Sequence, residues 1–264
     1  MKVHIAVVAI VICSWMSAAR AGGGAALENI LDQLGKQAPP DQVAHLREAI
    51  GSSPALEKQL DALVSSGRLA HFAIGDAASQ VPRRGPFSAW FQGNTWAFSG
   101  DFIAKHGKQR LYDVVQTDDI LPDNLVFVLG HLAYEAKTAA AISSEEAAIK
   151  EATRAQIAAG NNDMTSVMRQ SIALHINNQA AATIQGWDDT VDAAQHENSG
   201  RPLSPRQAAS LMMNLQYRGV LIKAMQGSVG SKMSIANDGM VEMTPANIAA
   251  VASVLGTSPL FDVQ

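Results

Sequence analysis

The stretch from Pro122 to Lys137 constrains the chain most. It reads Pro-Asp-Asn-Leu-Val-Phe-Val-Leu-Gly-His-Leu-Ala-Tyr-Glu-Ala-Lys. Leu125, Val128, Leu129, Leu132 and Ala136 fall at helical spacing and form an apolar stripe. Pro122 and Asp123 suit the first turn of a helix, and Lys137 suits its far end. A helix this apolar has to be covered by other elements, so the rest of the chain is expected to pack around it. His131 and Glu135, one turn apart, project from one face beside the stripe. Two readings of that pair stand side by side: a half-buried hydrogen-bonded pair, or two ligands of one metal ion such as zinc.

The chain opens with the pattern of a secretory signal peptide over residues 1–21. Lys2 gives the positive start, Val3 to Trp15 is mostly apolar, and Ala19-Arg20-Ala21 is an A-x-A cleavage site followed by three glycines. The apolar run is short for a bilayer span, and no later stretch reads as a membrane helix. The expected product is exported, periplasmic or secreted, and not membrane-embedded. The single cysteine, Cys13, lies inside the signal peptide. Residues 22–264 therefore carry no disulfide and depend on their apolar core, for which about 240 residues suffice. Lys+Arg 20 against Asp+Glu 24, with no basic tract, argues against nucleic acid as a partner.

The remaining pattern predicts an α+β fold, mainly α: one helical domain over 22–264 with a small, mainly antiparallel sheet beside the central helix. Short helices are expected from Leu27 to Leu34, from Asp41 to Gly51, and from a Ser53-Pro54 start to Gly67. Leu69 to Ile74 reads as a strand. Phe87 to Phe91 and Thr95 to Phe98 flank Gln92-Gly93-Asn94, a hairpin signal. Arg83 and Arg84 fall in a polar loop, and Asp118 and Asp119 in the loop before the central helix. After that helix the pattern continues helical to Gly160, with a break expected at Ser143-Ser144. A long helix is expected from Met164 to about Ala194, then further helices starting at Ser204-Pro205 and Thr244-Pro245. Gly227 to Gly239 is Gly/Ser-rich and reads as a loop.

Val128-Leu129-Gly130-His131, followed later by Asn177-Asn178-Gln179-Ala180 and Ile184-Gln185-Gly186-Trp187, resembles zincin-like metallopeptidase domains of exported bacterial proteins. Such families carry H-E-x-x-H on the central helix, two histidines holding zinc and a glutamate acting as base. The resemblance extends over residues 53–225 in short motifs. Only His131 matches a metal ligand. Leu132 stands where the base would be, Glu135 replaces the second histidine, and Gln179 stands where a later helix would supply a glutamate ligand. His175, one turn before Gln179, is the candidate to complete a His131–Glu135–His175 zinc set.

The expectation that follows is an exported, catalytically inactive zincin-like protein acting by binding. Its partner would be a protein or cell-wall material of the envelope, as for an inhibitor, an immunity-type decoy or a regulator of an envelope hydrolase. The rival expectations are an active zinc-dependent peptidase or peptidoglycan hydrolase with a modified site, and a helical envelope interaction protein unrelated to zincins.

Overall fold

The computed structural model describes residues 24–82, 88–106, 125–161, 163–213, 215 and 218–257. The segment expected to be a signal peptide, Arg83 and Arg84, Asp118 and Asp119, and the Pro122-Asp123 start expected for the central helix lie outside these residues. The fold is α+β and mainly α, with one small sheet.

Three helices come first: α1 (Gly24–Leu34), α2 (Pro40–Ser52) and α3 (Pro54–Ser65). The Ser53-Pro54 start acts as expected. Pro54 takes the first helical position, and the Ser53 hydroxyl accepts from the Leu56 N–H at 3.1 Å. Strand β1 (His71–Ile74) follows, then the single turn α4 (Asp76–Ser79), and the hairpin of β2 (Ala89–Gln92) and β3 (Thr95–Phe98). Gly93 has φ +60 at the first position of the two-residue turn, which only glycine adopts at no steric cost.

The strand order is β1-β3-β2. The β2–β3 ladder is antiparallel, as the hairpin requires, and β1–β3 is parallel. The sheet is therefore mixed rather than mainly antiparallel. The hairpin reverses the chain once, so β3 runs in the direction of β1 and inserts between β1 and β2. Phe72, Trp96 and Phe98 stack their rings across the β1–β3 ladder, with Phe72 and Trp96 meeting edge-on at 6.1 Å. After α5 (Gly100–His106), the chain enters the two long helices, α6 (Leu125–Ala158) and α7 (Thr165–Glu197). The break expected at Ser143-Ser144 is absent: α6 runs through it without interruption. The alanines and glutamates on both sides favour helix strongly enough to carry two serines.

Helices α6 and α7 are antiparallel partners, and each divides into a buried and an outer half. In α6 every residue from Leu125 to Gly130 is buried, with Leu132, Ala133 and Ala136 beyond. In α7 burial begins at Ala180 and runs to Ala194. The helices cross at a pair of glycines. A Cβ added to Gly186 would lie 2.5 Å from the Phe127 carbonyl oxygen, and one on Gly130 would lie 3.1 Å from the Gly186 Cα. Two bare backbones are what allow the approach. Next to the crossing, Trp187 is fully buried and its indole N–H donates to the Gly239 carbonyl at 2.9 Å. This bond holds part of the Gly/Ser-rich segment against the core. Helices α8 (Pro205–Met213), α9 (Arg218–Gln226) and α10 (Pro245–Leu255) close the far side, and Thr244 caps α10 as its sequence predicts.

Candidate functional site: a cleft between the sheet edge and the α6–α7 pair

Strand β2 is the edge of the sheet and lies against α6. Between them opens a cleft of about 540 Å³. All four residues of β2 line it, with Gly93 of the turn. Successive side chains on a strand point to opposite faces, so a wall made of both parities is the strand's edge. The edge of β2 away from β3 thus fronts the cleft. Opposite it stand His131 and Glu135 from α6 and Gln179 from α7. Val128, Leu132 and Leu255 add apolar floor.

His131 and Glu135 do project together: Nε2 of the imidazole is 3.9 Å from a Glu135 carboxylate oxygen, with side chains 12% and 18% exposed. Gln179 joins them. Its amide nitrogen donates to Glu135, and its carbonyl oxygen lies 3.1 Å from His131 Nε2. A carboxylate only accepts, which turns the amide nitrogen toward Glu135 and the carbonyl toward His131. In that orientation His131 bears its proton on Nε2 and donates it to Gln179. The three side chains form a directed chain, His131 to Gln179 to Glu135. One turn further out, the Thr138 hydroxyl donates to Asn178 at 2.9 Å and fixes the register of the two helices.

His175 lies elsewhere in the same cleft. It is half exposed, and its Nε2 sits 3.0 Å from a carboxylate oxygen of Glu146 on α6. Among the described residues no group of three or more His, Cys, Asp or Glu side chains converges to hold a metal ion. The His131–Glu135–His175 set expected for zinc is therefore split. Its first two members meet Gln179, and the third meets Glu146. The donor set at the centre is one imidazole, one carboxylate and one neutral amide. The third partner, a neutral amide, does not match the three-ligand catalytic zinc site, which takes imidazole, thiolate or carboxylate. Leu132, where a hydrolase would carry its base, is buried.

Behind the cleft lies a group that the sequence pattern did not single out. Asp189 on α7 is 1% exposed, between α3 and the glycine crossing. One oxygen accepts from Gln59 at 2.7 Å and from Gln185 at 3.1 Å. The other faces Gly130 and has no hydrogen-bond partner among the described residues. Burial pushes this carboxyl up to about 7, against the two amide hydrogen bonds that lower it, with a smaller push from Asp192. Asp188 is pushed up to about 7 as well, by burial, against a hydrogen bond from the Val241 N–H at 2.7 Å. The signal that would have found them is two carboxyls directly after Gly186-Trp187, inside a stretch of Ala, Ile and Val.

No model of a known protein family matches the chain, and no curated protein or solved structure is similar to it.

Proposed function

We propose that the chain is an exported binding protein of the cell envelope, built like a zincin cleft without hydrolytic chemistry, and that the cleft takes an extended peptide segment. The observation that carries this reading is the His131–Gln179–Glu135 chain facing β2, an outer strand of the sheet among the described residues. Gln179 bridges His131 and Glu135, and Leu132, in the position the resemblance gives to the base, cannot take a proton from water. The edge of β2 supplies N–H and C=O groups that an added strand satisfies, and the apolar floor offers places for alternate side chains. Partners of this class are an unstructured segment of an envelope protein or the peptide stem of the cell wall. An inhibitor, a decoy and a regulator of a hydrolase would each use such a cleft.

The test pairs binding with hydrolysis. Short unstructured peptides of mixed sequence, labelled with a fluorophore, are titrated with the purified chain and with Ser143→Trp. Ser143 lines the cleft and is exposed, so a tryptophan there fills the groove without touching the core. The expected result is saturable binding weakened by about tenfold or more in the variant, which is about 1.4 kcal/mol. The unfolding midpoint should be unchanged and no peptide should be cleaved. Chelator-sensitive cleavage, or binding indifferent to Ser143→Trp, would overturn the reading.

A further inference from the structure

The outer halves of α6 and α7 form a largely exposed arm, held at its base where Ile176 packs against the core and where Ile142, Ser143, Glu146 and His175 line the cleft. From Lys137 to the end of α6, and from the start of α7 to Gln179, no residue is buried. At 1.5 Å per residue this stretch of α6 is about 33 Å long. Half-buried positions recur at spacings of three and four: Ile142, Glu146 and Ile149 on α6, and Ser171, Leu174 and Asn178 on α7. That is the period of an antiparallel helical pair packed along one seam. The seam is poor in apolar side chains, since Glu146, Ser171 and Asn178 interrupt it. Meanwhile Met168 and Ile172, one turn apart on α7, are 61% and 44% exposed, and Ile157 near the tip is 54% exposed. The other exposed large hydrophobics among the described residues are Met213 and Met243 alone, so the arm holds most of them. A helical pair with a weak seam and its larger apolar side chains facing outward is half of a bundle.

The geometry points to a second copy of this chain as the occupant: two arms pack across a twofold axis as an antiparallel four-helix bundle. Two features select a copy over a different partner. Over residues 137–179 the arm carries four Lys and Arg against four Asp and Glu, so it has no net charge to attract a polycation or polyanion. Mixed signs along one element are what a self-complementary, isologous contact uses. The size also fits. A face about 33 Å long and two helices wide supplies roughly 600 Å² from each copy, or roughly 1,200 Å² in all, the lower limit of a stable specific interface. Four helices around one core is the smallest bundle that buries such faces from both sides.

The test is sedimentation of the purified chain through the micromolar range, beside Met168→Glu/Ile172→Glu. The expected result is a dimer for the unchanged chain and a monomer of equal helix content for the double variant. A second variant guards against a folding defect. Ile172→Cys, in a Cys13→Ser background, places one thiol per chain on the outward face, and oxidation is expected to give a disulfide-linked dimer. A chain that is monomeric throughout, or a dimer that ignores the charge substitutions and gives no cross-link, would overturn the proposal. Peptide binding in the cleft is scored separately, so failure of one idea leaves the other standing.

Discussion

The Asp189 carboxyl packs against the bare Cα of Gly130, the residue that precedes His131 on α6. A methyl group at Gly130 would collide with that carboxyl and crowd the Gly186 backbone. Neither neighbour yields easily, since Asp189 is tied to Gln59 and Gln185 and Gly186 lies against the Phe127 carbonyl. Gly130→Ala is expected to lower stability by about 1–3 kcal/mol, as overpacking at a fixed crossing does, despite the better helix propensity of alanine. Urea denaturation checks this; a midpoint at or above that of the unchanged chain would show that the crossing is looser than described.

The same carboxyl makes stability depend on pH in an unusual direction. The value of Asp189 in the folded chain, about 7, is above its ordinary 3.8. The folded state therefore holds the proton more tightly than the unfolded state does. Its contribution is fully present below about pH 4 and is lost as pH rises through about 7. Asp188 acts in the same sense. Each tenfold difference in proton affinity between the two states is worth about 1.36 kcal/mol, so the unfolding free energy should fall by a few kcal/mol between roughly pH 5 and pH 7.5. Asp189→Asn keeps an oxygen for the two glutamine donors and carries no titrating proton, so it should remove roughly half of that slope. Parallel pH profiles of the two chains decide it: an unchanged slope would place the titration elsewhere.

The helices were legible because their ends are marked by side-chain chemistry and their faces by period. Ser53-Pro54 and Thr244-Pro245 start helices where the sequence says they should, and the Gly93-Asn94 turn sits where the aromatic strands require it. The parallel pairing of β1 with β3 was not legible, because no local pattern says which strand fills the middle of a sheet. At the site, the His131–Glu135 pairing followed from spacing on one helix. The role of Gln179 as the bridge between them depended on the rotation of α7 against α6, which the Gly130–Gly186 crossing sets. His175 looked equally well placed in sequence, yet that rotation carries it to Glu146. Asp188 and Asp189 escaped notice because carboxyls in sequence read as solvated, and only the packing of α3, α6 and α7 reveals that they are not.

Ser53 joins two elements through one hydroxyl. It caps α3 by accepting from Leu56, and it donates to Asp192 on α7 at 2.8 Å, while Asp192 also accepts from the Ala55 N–H at 2.9 Å. Ser53→Ala removes the cap and one of the two donors to the carboxylate. A loss of about 1–2 kcal/mol is expected, at the upper end for a cap because the position is fully buried. Since the surface exposed on unfolding hardly changes, the midpoint should shift with the denaturant slope intact. A loss of a few tenths would mean that water replaces the hydroxyl at both partners.

Gln179 is the residue whose exchange separates the binding reading from the metal reading. Gln179→Glu removes the donor that satisfies Glu135 and sets a second carboxylate beside His131. Without metal, two carboxylates face each other in a part-buried site, so the variant should be less stable than the unchanged chain at neutral pH. With zinc, an imidazole and two carboxylates converge, all of them zinc ligands. The variant is expected to bind about one zinc per chain. Its unfolding should be stabilised by about 2.7 kcal/mol when zinc is at a hundred times its dissociation constant. His131→Ala in the same background should abolish both effects. On the proposed reading, peptide cleavage should not appear in any of these chains, because Leu132 cannot act as a base. Isothermal titration on the unchanged chain completes the set: stoichiometric zinc that His131→Ala removes would mean that Gln179 does not bridge the pair, and the cleft would have to be reread as a metal centre.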